Sequence, residues 1–176
     1  MFRFLYIIIV STIFQSCRPP ILEKCKELDP GACCFLKRTE AESPLGSPAL
    51  EGEEADFDWY STCTFNAKAT YLNQAIKLTW FRANKNPKVN EILEKLTTDT
   101  LEGCTHVPNL DAKASWCPQT ILFGSEVPAL FVAKKDNLFL VSAAQMEGQV
   151  PWMMEREVAR WVLRRESMVN NSRKEN

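Results

Sequence analysis

The spacing of apolar residues changes several times along this chain, and each change marks a different kind of segment. Phe4 to Phe14 is an almost unbroken apolar run preceded by Arg3. It is too short for a bilayer span, which needs roughly 20 residues. Arg18-Pro19-Pro20 follows at once, and proline stops helices, which argues against a buried core helix. A positive start followed by a short apolar core is the form of an export signal. After it, Ile21 to Leu28 has room for one or two helical turns. Asp29-Pro30 is a good helix start, with a capping carboxylate ahead of a proline, and it predicts a helix over 31–41 that stops before Pro44 and Gly46. The stretch "SPLGSPALEGEEAD" carries Glu51, Glu53, Glu54 and Asp56 and reads as an exposed, solvated connection. A calcium site is the sharper alternative there, but the spacing lacks the EF-hand pattern.

Strand periodicity begins at "FDWYSTCTFNA", where Trp59, Ser61, Cys63 and Phe65 share one face. In "NQAIKLTWFRA", Ile76, Leu78 and Trp80 alternate with Ala75, Lys77 and Thr79, which predicts a half-buried strand hairpinned to the first. The period then becomes helical: Val89, Ile92, Leu93 and Leu96 line one side of "NPKVNEILEKLTTD". "LEGCTHVPNLDAKASWCPQT" reads as irregular. "TILFG" reads as a strand, and "VPALFVAKKDNLFLVSAA" as a hairpin turning at Lys135-Asp136-Asn137. "PWMMEREVARWVLRRE" predicts a closing helix with Trp152, Met153, Val158, Trp161 and Val162 on its apolar face. The tail "SMVNNSRKEN" reads as frayed, and its formal sequon Asn170-Asn171-Ser172 as chance. Helix, two strands, helix, strands, helix is an α+β domain: an antiparallel sheet with helices packed on it. The predicted organisation is signal 1–16, anchor and tether 17–24, folded domain 25–168 and disordered tail 169–176.

The cysteines change the picture most. There are seven: Cys17, Cys25, Cys33, Cys34, Cys63, Cys104 and Cys117. Ser16-Cys17 resembles the end of a bacterial lipoprotein signal, although Ile13-Phe14-Gln15 is looser than the usual pattern. Lipidation of Cys17 resolves the odd count, because six cysteines remain for three bridges. Ordinary cleavage near Ser16 or Cys17, giving a soluble secreted protein, is the alternative. An exported chain meets an oxidising compartment in which disulfides persist. Cys104 and Cys117 close a short loop and are expected to pair. Cys33 and Cys34 cannot easily pair with each other, so they are expected to reach Cys25 and Cys63, in an order that spacing does not decide. About 160 residues follow the signal, one domain's worth, enough to bury roughly 70% of the unfolded surface. The 21 basic and 22 acidic residues nearly balance, and no basic patch with interleaved aromatics points to nucleic acid.

The pieces "DPGACCFLKRTEAESPLG", "STCTF", "VPNLDAKASW", "NLFLVSA" and "VARWVLRR" resemble, in order, a family of small cell-envelope lipoproteins of unknown function best known from actinobacteria. The likeness spans most of the chain after the signal in short pieces. Asn109 and Asp111 stand where that family usually has glycines, and the extra cysteines Cys25, Cys33, Cys104 and Cys117 are unusual for it. The resemblance implies an α+β domain of the PsbP/Mog1 kind and little about activity.

Chemistry is sparse. His106 is the only histidine and lies between Cys104 and Cys117. A Cys-His-Cys zinc site there is weighed against a bridge, and the bridge is preferred because structural zinc wants four closely spaced ligands. No Cys-x-x-Cys, Gly-x-Ser-x-Gly or phosphate-binding loop is present. The expectation is a non-catalytic envelope lipoprotein that acts as a binding or assembly module. It would be held to the membrane through its lipidated N-terminus, face an oxidising compartment and meet a protein partner, with no metal, cofactor or nucleic acid. The competing class is a thiol or redox enzyme using vicinal Cys33-Cys34, or a Cys–His pair with His106; a secreted binding factor is a third reading.

Overall fold

Ile76, Leu78 and Trp80 sit at the centre of the molecule, on the strand that everything else is built around. A computed structural model describes residues 25, 30–69, 74–98, 101–118, 128–143 and 152–174. The segments expected to be signal and tether, with Cys17, and the expected strand "TILFG" lie outside the described residues. The strands are β1 (Glu53–Asp56), β2 (Tyr60–Asn66), β3 (Ala75–Arg82), β4 (Thr105–His106), β5 (Lys113–Cys117), β6 (Ala129–Lys134) and β7 (Asn137–Ala143). The helices are α1 (Arg38–Leu45), α2 (Pro87–Thr97) and α3 (Met153–Lys174), with a short 3-10 turn at Ala32–Cys34 and another at Ala83–Lys85. All the strands join one antiparallel sheet in the order β1-β2-β3-β7-β6-β5-β4. Two meanders therefore meet at β3 and β7, where Leu78 faces Val141 and Trp80 faces Phe139. This is the α+β, disulfide-containing domain that the periodicity implies.

Helices cover both faces. On one side, the turn at Ala32–Cys34, α1 and α3 bury Cys63, Phe65, Ile76, Leu78, Trp80, Phe139 and Val141. Phe35 packs between Trp80 and Phe139, with ring centroids 5.3 and 5.1 Å away. On the other side, Val89, Ile92 and Leu96 of α2 close over Phe81, Phe131 and Leu138. Asn86 caps α2 by accepting the Lys88 N–H at 3.0 Å, and Pro87 fills the first position, where its missing donor costs nothing.

Several expectations are corrected. The helix expected over 31–41 is a 3-10 turn followed by a later helix. Ser61 Oγ accepts the Ala32 N–H at 2.6 Å and Glu54 accepts the Cys33 N–H at 3.2 Å, so side chains of the sheet take donors that a helix would have used. The α-helix begins only at Arg38, where the Glu40 carboxylate accepts the Lys37 N–H at 2.8 Å. It passes through Pro44 and ends at Gly46, whose φ of 61° suits glycine. The acidic connection is partly strand: Glu53, Glu54 and Asp56 belong to β1, a sheet edge on which exposed charge discourages pairing with other chains. β3 is more than half-buried, because α2 and its neighbours also cover Thr79 and Phe81. The segment read as irregular holds β4 and β5, drawn together by the Cys104–Cys117 bond. The last hairpin turns on Lys135 and Asp136, with Asn137 already paired to Lys134. Met153 lies on the outer side of α3, and the helix continues through the expected tail to Lys174, with Val169 buried.

A buried polar chain fastens α3 to the sheet. Glu166, 1% exposed, accepts from Asn137 Nδ2 at 3.0 Å and from Asn170. Asn137 Oδ1 in turn accepts from Trp80 Nε1 at 3.1 Å. Lys134 approaches Glu166 at 4.0 Å and donates to exposed Asp111 at 2.9 Å; that hydrogen bond, with the charge attraction behind it, lowers the Asp111 carboxyl below its ordinary range. Replacing Asn137 leaves both Trp80 Nε1 and Glu166 short of a partner inside the protein. Asn137→Ala is expected to destabilise the fold by roughly 1–3 kcal/mol, read as a lower urea midpoint with an unchanged slope.

Candidate functional site

Adjacent cysteines on a 3-10 turn point in different directions, and here they bind different parts of the chain. Cys34 joins Cys25, Cys33 joins Cys63 in β2, and Cys104 joins Cys117. Cys25–Cys34 ties the Ala32–Cys34 turn back to Cys25, and Cys33–Cys63 ties the turn to the β1–β2 hairpin. Between them lies a groove of about 540 Å³, within the usual size range of small-ligand sites. Leu36, Phe65 and the sulfur-bearing Cys33 and Cys34 form its apolar floor, while Lys37, Arg38, Glu51 and Glu54 form a charged rim. Arg38 and Glu51 pair across the rim at 2.7 Å.

Two glycines make this geometry possible. A Cβ on Gly31 would stand 1.6 Å from the Glu54 carboxylate, so Glu54 can reach the Cys33 N–H only because Gly31 is bare. A Cβ on Gly52 would meet the Phe65 ring at 2.8 Å and Cys63 Sγ at 2.9 Å, filling the groove wall. Sequence reasoning named Cys33, Cys34 and Cys63, and singled out Glu51 and Glu54 only as part of a solvated acidic connection; it missed Gly52, Thr39 and the basic side of the rim, Lys37 and Arg38. The usable signal was the shared face of Cys63 and Phe65, which puts an aromatic ring beside whichever cysteine Cys63 binds.

The other candidates do not assemble. His106 is exposed on β4, at the sheet edge opposite β1. Five strand spacings separate β4 from β2, roughly 24 Å at the usual strand separation, so His106 does not activate Cys33 or its partner Cys63. Cys104 and Cys117, nearer to it, are bonded to each other. Among the described residues no group of three or more His, Cys, Asp or Glu side chains is placed to hold a metal ion. Among them, too, no helix is long and apolar enough to cross a membrane. Comparison of the chain with protein-family models, with curated proteins and with solved structures finds no match. Its functional reading therefore rests on its own residues.

The groove is testable without a known ligand. An apolar fluorescent probe such as N-phenylnaphthylamine is expected to bind the native protein at one site. Thr39→Trp, which adds a ring at the lining without touching a core side chain, is expected to weaken that binding at least tenfold at unchanged melting temperature. Equal probe binding by both proteins would remove the groove as a site.

Proposed function

We propose that this chain is a non-catalytic binding or assembly module of the bacterial cell envelope, anchored by a lipid on Cys17, and that the groove beside Cys33 and Cys34 is where it meets a protein partner. The observation that carries the reading is the groove itself. Its floor is apolar, its rim bears both signs of charge, and it is braced by two covalent bonds. A surface of that make-up suits an inserted apolar side chain ringed by polar contacts, the usual anatomy of a protein interface. Three pairs of bonded cysteines support exposure to an oxidising compartment. The apolar run ending at Ser16-Cys17 supports the anchor.

The thiol-enzyme alternative needs a reactive cysteine, and Cys33 and Cys34 are each bonded elsewhere. The test is the intact mass of the exported protein, with and without a thiol-blocking reagent under denaturing conditions. The expected result is a chain beginning at Cys17, heavier by an acylated glycerol, that takes up no label. An unlipidated chain contradicts the anchor and favours a secreted binding factor. Label at Cys33 or Cys34 contradicts the non-catalytic reading.

A further inference from the structure

The outer face of α3 carries a pattern that folding does not explain. Its inner face is committed to the core through Met154, Val158, Ala159, Val162, Leu163 and Val169. The outer face aligns Arg156, Arg160 and Arg164 at successive four-residue steps, flanked by Met153 and Met168, which are 55% and 53% exposed. Like charges at that spacing destabilise a helix. Among the described residues neither Arg156 nor Arg160 forms a side-chain ion pair, while Arg164 lies over the Trp161 ring at 5.7 Å. Two carboxylates share the face: Glu157, which accepts from Ser43 at 2.6 Å, and Asp111, which is paired with Lys134 at 2.9 Å; Glu40 is held by Arg165, so the arginines remain in excess. Two shallow concavities flank the stripe, and Arg160 and Arg164 line both.

We infer that this face of α3 docks on an anionic phospholipid surface. Three arginines match lipid phosphates in charge, and their long stems let the guanidinium groups reach headgroups while the chain lies lower. Methionine is apolar and adaptable, and tryptophan favours the membrane interface. Met153 and Met168 stand roughly 22 Å apart along the axis, so the pattern is a flat stripe that fits a plane rather than a pit that fits one side chain. A helix with basic residues beside apolar ones lies in the interface in this way. Each basic residue near an anionic surface is worth roughly a fivefold gain in binding. The contact needs neither the groove nor the Cys17 lipid; together with an anchor it would fix how the domain is oriented on the membrane.

The experiment uses the full exported protein and its Trp161→Phe variant, with vesicles brominated near the headgroup. One set is neutral phosphatidylcholine; the other includes phosphatidylglycerol. The difference in quenching between the two proteins isolates Trp161, whatever else tethers the chain. The expected result is a Trp161 component quenched on anionic vesicles, absent on neutral ones and weakened by high salt. Arg160→Glu/Arg164→Glu is expected to lose it, reducing affinity at least tenfold. Arg160→Gln/Arg164→Gln serves if the reversal disturbs folding. A Trp161 left unquenched on anionic vesicles, as an acidic protein or a second copy on this face would leave it, overturns the proposal. Equal quenching on neutral vesicles also overturns it. Neither result bears on the groove.

Discussion

Two neighbouring cysteines bound in opposite directions along the chain set the arrangement of the N-terminal half. Cys34 reaches back nine residues to Cys25, and Cys33 reaches forward thirty to Cys63 in β2. The backbone between them cannot turn freely, so it forms a tight 3-10 turn pressed against the sheet. Phe35, the next residue, is thereby delivered into the gap between Trp80 and Phe139. Leu36 follows it into the core, and α1 can start only after both are placed. The groove borders the same constraint: the turn is joined to the β1–β2 hairpin by the Cys33–Cys63 bond and by the hydrogen bonds of Ala32 to Ser61 and Cys33 to Glu54. Each such bond stabilises a domain by roughly 2–4 kcal/mol, mostly by restricting the unfolded chain.

The far half is held differently. There α3 is fixed by apolar packing and by a hydrogen-bonded line from Trp80 through Asn137 to Glu166. Glu166 is buried, and Asn137 and Asn170 supply the donors its carboxyl oxygens need, with Lys134 nearby. The result is a helix with one side that cannot move and another that is wet, basic and edged with methionine. The groove and the helix face are thus products of two separate restraints, one covalent and one polar.

Much of this was legible in the residues. Alternation placed β2 and β3, since Cys63, Phe65, Ile76 and Leu78 keep strict period two against a buried face. The heptad-like spacing of Val89, Ile92 and Leu96 placed α2. What was not legible depends on partners distant in sequence. The helix expected from Gly31 was broken by Ser61 and Glu54, which are strand residues some twenty to thirty positions away. The pairs Thr105 with Trp116 and His106 with Ser115 are too short and polar to show strand periodicity, yet the Cys104–Cys117 bond brings them together. The tail beyond Glu166 reads as polar because, among the described residues there, Val169 is the one buried apolar side chain, while Ser167 and Asn170 reach inward through polar groups. The groove itself arises from two glycines whose meaning appears only when Glu54 and Phe65 are seen beside them.

The pairing of the vicinal cysteines is the claim on which turn, core and groove all depend. The direct measurement is partial reduction of the purified, oxidised protein, cyanylation of the freed thiols, and mass mapping of the cleaved fragments. The account predicts Cys25–Cys34, Cys33–Cys63 and Cys104–Cys117. The exchanged pairing, Cys25–Cys33 with Cys34–Cys63, or a free thiol at Cys33 or Cys34, would contradict it and remove the basis for the groove.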